Sequence, residues 1–159
     1  MSIALYLKVE GAPGESKDSK HKEWVDLDSF HWGVVQPHTA GTGGGLGAGR
    51  ASFHDLTCVT SIDKASAAVL GKCAKGDHIS KITLSAAKAG GEQQEYYKLE
   101  LQDVIVTAVD INGANGAEIK TSYSFQGSKL HTTYKEQTAK GTMGGSAEFG
   151  WDIKENTKM

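Results

Sequence analysis

A chain of 159 residues is long enough for one domain with one core, and 38% apolar with 23% charged residues is the balance of a globular chain, not a disordered one. The net charge of −2 and the absence of a basic stripe exclude the dense phosphate contacts of a nucleic-acid binder. No run approaches the ~20 apolar residues of a membrane span, so a single soluble domain over 1–159 is expected.

The chain opens with "MSIALYLKVEG". It has no basic leader, and its apolar run breaks at Lys8 and Glu10, so it does not read as a secretory signal. A cytoplasmic origin is expected. Ile3, Leu5, Leu7 and Val9 alternate with their neighbours, the period of a half-buried strand. In "WVDLDSFHWGVV", Val25 and Leu27 share one face while Phe30 and Trp32 fall on the other. One strand cannot bury both sets on one side, so a bulge is expected near Asp28 and Ser29.

Residues 38–53, "HTAGTGGGLGAGRASF", raise the question of a phosphate cradle. "GGLGAGRA" has the glycine spacing of a Walker A loop, but Arg50 stands for the lysine and Ala51 for the hydroxyl residue. "GGGLGA" has dinucleotide-loop spacing, but a strand-like "RASFHDLTCVT" follows instead of a helix. The segment reads as a long glycine-rich excursion between strands, and such lengths usually carry function.

In "SIDKASAAVLGKCAKG", Asp63 is an N-cap and Gly76 a stop, which predicts one helix over 63–75. Its Val69, Leu70 and Cys73 are expected on one side. Ile82, Leu84 and Ala86 then alternate with Lys81, Thr83 and Ser85, which are expected to face away. Leu99 and Leu101 give way to Val104 and Val106, so a second irregularity is expected near Asp103. "IKTSYSFQ", "KLHTTYKE" and "SAEFGWDI" complete the strands, with glycine turns between them. The expected fold is mainly β: a β-barrel of two packed antiparallel sheets with one flanking α-helix and a long Gly-rich loop.

Catalytic signatures are absent. His21, His31, His38, His54, His78 and His131 are scattered without metal-ligand spacing, and no G-x-S-x-G elbow occurs. Glu23, Asp26 and Asp28 read as solvated edge charges. Cys58 and Cys73 read as free thiols. Trp24, Trp32 and Trp151 read as core aromatics, although they leave open a small-molecule or carbohydrate-binding β-barrel. No enzyme, metal or cofactor is expected, and a binding or assembly role is.

Four blocks in order carry a resemblance: "YLKVEGAPGESKDSKHKEWVDLDSFHWG", "GGGLGAGRASFHDLTCVTSIDKASAAVL", "KAGGEQQEYYKLELQDVIVTAV" and "FGWDI". With its "GES" and its aromatic-x-aromatic-Gly at 30–33, the chain resembles the hemolysin-coregulated protein family, the tube component of type VI secretion systems. Phe149 stands where that family commonly has tyrosine, and "KASAAVL" lacks a proline frequent there.

The resemblance implies hexameric rings stacked into a hollow tube. It implies a contractile sheath around the tube, a valine-glycine-repeat spike protein at its tip, and small effector proteins in its lumen. It also implies export without a cleaved signal peptide. On this reading Gly41, Gly43, Gly44, Gly45, Leu46, Gly47 and Arg50 form a ring-stacking loop. Lys64, Lys72 and Lys75 lie on an outer helix toward the sheath. Alternation from Phe30 and Trp32 places Ser29 and His31 toward the lumen and its cargo.

Overall fold

The computed structural model describes residues 2–40, 46–89, 93–137 and 143–159. Strands β1 (Ile3–Val9), β2 (Val25–Leu27), β3 (Ser29–His31), β4 (Val34–Val35), β5 (His38–Ala40), β6 (Leu46–Ala48), β7 (Ser52–Phe53) and β8 (Leu56–Ser61) precede helix α1 (Lys64–Lys75). After it come β9 (His78–Lys88), β10 (Gln94–Asn112), β11 (Lys120–Gln137), β12 (Met143–Asp152) and β13 (Thr157–Lys158).

The main sheet runs β13-β12-β11-β10-β9-β1-β2, and β8 joins it through β11 and pairs β3. The expected barrel is therefore not closed. The reason is local. β2 pairs β1, the chain bends at Asp28, and β3 pairs β8 instead. The Asp28 amide already donates to the Val59 carbonyl at 2.8 Å. This change of partner, not a simple bulge, lets Val25, Leu27, Phe30 and Trp32 all pack on one core.

The irregularity expected near Asp103 is a crease across three strands. Asp103 has φ +49, and the buried set shifts there from Leu99 and Leu101 to Val104 and Val106. β9 shifts likewise between Ile79 and Ile82, and β11 between Phe125 and Leu130. Gln102 pairs Lys81 on one side and Lys129 on the other, so the three shifts lie on one row. Gly127 sits at this crease, where an added Cβ would lie 3.0 Å from the Leu101 Cβ. A side chain here would push Leu101 away by a few tenths of an ångström, so glycine suits the close approach of β11.

The core holds Leu7, Leu84, Leu99, Val104, Tyr123 and Phe125 among others. The sheet's outer face over β1 and β9 is also covered. Residues 11–24 fold across it, so Thr83 and Ser85, expected to face away, are buried. Polar residues survive there because they are hydrogen-bonded.

The helix begins one residue after its Asp63 cap, whose side chain accepts from the Ala65 amide, and it ends at Gly76 with φ +71. Ala65, Ser66 and Val69 are buried. Leu70 is not on their side, since it lies 100° beyond Val69 on a 3.6-residue turn and is exposed. Cys58 is buried, Cys73 half-buried, and both are free. Burial raises the Cys58 thiol pKa far above its ordinary value.

Candidate functional site

The glycine-rich excursion is a long hairpin. Val34 pairs Phe53, and further out His38 pairs Ala48 and Ala40 pairs Leu46. Among the described residues its strands pair only with each other. Val34 and Val35 in its stem are exposed. Of the expected stacking residues, Leu46 and Gly47 lie in β6, while Gly41, Gly43, Gly44 and Gly45 lie outside the described residues. Arg50 stands at the base, where its guanidinium donates to the Ile153 and Lys154 carbonyls at 2.7 and 2.9 Å. It ties the hairpin to the turn after β12.

Beside the hairpin the sheet opens. β1 pairs β2 only from Leu5 to Leu7, because the chain then turns toward β8. The gap between β1 and β3 is a cleft of about 310 Å³ floored by Leu5, Ala86 and Tyr97 and walled by Phe30 and Trp32. Phe30 stacks on Tyr97, ring centroids 6.0 Å apart. The Trp32 indole N–H donates to the Tyr97 hydroxyl at 2.8 Å. His31 and Tyr96 form the rim. Among the described residues, no Asp, Glu, Lys or Arg lines this space.

Ser29 and His31 are exposed on the opposite side of β3 from Phe30. His31 stacks near His54, centroids 5.9 Å apart. Lys64 and Lys75 are exposed and Lys72 is half-buried, its stem against Gly11. The structure thus keeps the three expected groups on three separate elements and does not bring them together.

The "GES" block has a clear local reason. A Cβ on Gly14 would lie 2.5 Å from the Trp24 carbonyl oxygen, so no larger residue fits. The Glu15 carboxylate accepts from the Lys64 amide at 2.7 Å at the start of α1. Ser16 is buried, and its amide donates to the Trp24 carbonyl at 2.9 Å. The motif seats the loop over the sheet and joins it to the helix.

Under that loop lies a polar chain that spacing did not reveal. His21 is buried flat against Tyr6, centroids 4.1 Å apart. Its Nδ1 lies 2.7 Å from Asp18 Oδ2, and its Nε2 lies 3.1 Å from Ser85 Oγ. The Ser85 hydroxyl donates to Glu95 at 2.5 Å. The hydrogen bond from His21 lowers the Asp18 pKa. His21 and Ser85 here sit 64 residues apart, and no local motif marks such a set. Ser85 has no exposed surface and gives its proton to Glu95, so the group is a structural brace and not a nucleophile.

Outside the loop, Glu100 holds both Lys81 and Lys98 at 2.8 Å. Burial pushes its carboxyl up, but the two lysines outweigh that and leave it below its ordinary value.

A family model described as "Type VI secretion system effector, Hcp" matches residues 6–139. Protein hcp1 of Pseudomonas aeruginosa strain PAO1 is 33% identical over 161 residues, covering 99% of each chain. Among solved structures, one described as a type six secretion system protein superposes with a TM-score of 0.93 at 25% identity, covering 99% of this chain and all of that one. Hcp1 from Salmonella typhimurium has a TM-score of 0.83 at 29% identity, with full coverage of both chains. The fold, the "GES" seat and these full-length matches agree: the chain belongs to the Hcp family of type VI secretion proteins.

Proposed function

We propose that the chain is the structural unit of a type VI secretion tube, assembling as hexameric rings that stack and are expelled, with small effectors held in the lumen. Family membership supports the tube role. The observation that carries assembly is the hairpin: a long, glycine-rich pair of strands fixed at its base by Arg50 and free of other strands among the described residues. A free hairpin with exposed valines gains stability only against another surface. A closed ring needs two different surfaces on each subunit.

Stacking falls to Leu46, Gly47 and the glycines before them. The lysines Lys64, Lys72 and Lys75 face the sheath, and Ser29 and His31 face cargo. The spike protein caps the tube, and export proceeds without a cleaved signal. Native mass spectrometry and negative-stain imaging of the purified protein test this reading. Rings of one size with an open centre are expected, and a monomer at micromolar concentration overturns it. Removing residues 43–47 leaves rings intact and impairs stacking. Reversing the three lysine charges lowers secretion with rings intact. His31→Gln lowers the level of bound effector.

A further inference from the structure

We propose that residues 11–24 form a proton-dependent strap, latched to the sheet by a doubly protonated His21 and released when that ring gives up one proton.

The side chains of Asp18, His21, Ser85 and Glu95 make three hydrogen bonds in a row, at 2.7, 3.1 and 2.5 Å. Each bond needs one proton between its two atoms. A carboxylate brings none, a hydroxyl brings one and a neutral imidazole brings one. Two protons cannot fill three bonds. The Ser85 hydroxyl spends its proton on Glu95, and the Asp18 carboxylate only accepts. Both ring nitrogens of His21 therefore donate, and the ring is an imidazolium. Without the Nε2 proton, a nitrogen lone pair would face the Ser85 oxygen at 3.1 Å in a buried site. A buried bond left unmade in this way costs more than a made one gains.

The groups around the ring leave it this role. On β1, Tyr6 stacks on it, and Lys8 pairs Glu10 at 3.6 Å. On β9 and β10, Lys81 and Lys98 both pair Glu100. Within the loop, Trp24 meets the ring edge-on, and Lys20 donates to the Gln93 carbonyl at 2.7 Å. Among the described residues no lysine pairs with Asp18 or Glu95. His21 is thus the cation that serves both carboxylates, directly at Asp18 and through Ser85 at Glu95.

The loop is built to move as a unit. It closes on itself, with the Gly14 amide on the Glu23 carbonyl at 2.7 Å and the Ser16 amide on the Trp24 carbonyl at 2.9 Å. Positive φ angles at Gly11 and Glu23, +84 and +66, mark its two ends. Its described hydrogen bonds to β9 and to the residue before β10 run through the His21 and Lys20 side chains. The latched state binds one proton more than the released one, so a rise in pH favours release. Histidine is the side chain that makes this change between about pH 5 and 8.

Hydrogen exchange of the full-length protein, read by mass spectrometry on peptides within residues 11–24, tests the strap. Corrected for intrinsic exchange, wild-type protection there is expected to fall about tenfold between about pH 6 and pH 9, with β10 and β11 peptides unchanged. Two variants separate a proton latch from a plain contact. In Glu95→Gln the new amide donates to Ser85, whose hydroxyl turns to Nε2, so a neutral ring fills every bond. In Asp18→Asn the new amide donates to Nδ1, with the same result. Both variants are expected to hold their protection constant across the range. The β10 and β11 peptides report whether each variant is folded, and either variant alone suffices. Wild-type protection that ignores pH overturns the proposal, and so do folded variants that lose protection with pH as the wild type does.

Discussion

Asp103 and His78 meet Oδ1 to Nδ1 at 2.8 Å where β10 takes a left-handed backbone conformation. The Ser128 hydroxyl donates to the Asp103 carbonyl at 3.1 Å from the facing strand. Three strands are thus linked at the crease by one aspartate. Asp is among the few residues that tolerate this conformation, so Asp103→Asn is expected to keep the crease. Asp103→Val is expected to destabilise by about 1–2 kcal/mol, the cost of a left-handed conformation. Urea unfolding of the two variants checks the order.

Acid sensitivity follows from the same residue. The hydrogen bond from His78 comes first and that from Ser128 second in holding the Asp103 carboxyl below its ordinary value, as His21 does for Asp18. A carboxyl with a lowered folded pKa stabilises the fold fully above its unfolded value, near pH 4. That contribution is lost as pH falls through the folded value. The stability gap between wild type and Asp103→Asn is therefore expected to shrink between about pH 5 and 3. A constant gap across that window in denaturant titrations would refute the assignment.

His21→Phe keeps the stack on Tyr6 and removes both polar links. A loss of about 1–3 kcal/mol is expected, because Asp18 and Ser85 each lose a partner under the loop. His21→Ala also opens a void and is expected to cost more. Thermal unfolding separates the two.

At the helix start, Asp63→Ala removes the cap and is expected to cost about 1 kcal/mol. Ser66→Ala removes more. The Ser66 hydroxyl lies 2.8 Å from the Tyr123 hydroxyl and also accepts from the Asp63 amide. Tyr123 is fully buried, so its unpaired hydroxyl brings the expected cost to about 2–3 kcal/mol. Equal losses for the two variants would show that the tyrosine contact is idle.

Gly14→Ala tests the loop seat. The new Cβ would meet backbone, not a flexible side chain, so a loss of about 1–3 kcal/mol is expected. Faster proteolysis between residues 11 and 24 is the matching local readout.

Much of the fold was legible because strand alternation is a direct print of burial. Leu99 and Leu101 against Val104 and Val106 marked the crease, and the Asp63 and Gly76 pair marked the helix. Thr83 and Ser85 misled because a polar residue under a covering loop looks like one facing water. Leu70 misled because adjacency in sequence is a 100° turn on a helix. The open barrel was hidden because pairing partners are a long-range choice made at Asp28. Of the candidate site, the hairpin was visible as a glycine run. The aromatic cleft was not, since Leu5, Phe30, Ala86 and Tyr97 come together only through four strands.

The crease has a mechanical meaning. β10 and β11 each cross it, so one half of each strand forms one wall of the core and the other half the second wall. Hydrogen-bond register stays intact as the strands cross. Neither wall can melt alone without tearing both strands. Force applied along the chain should therefore meet a single barrier.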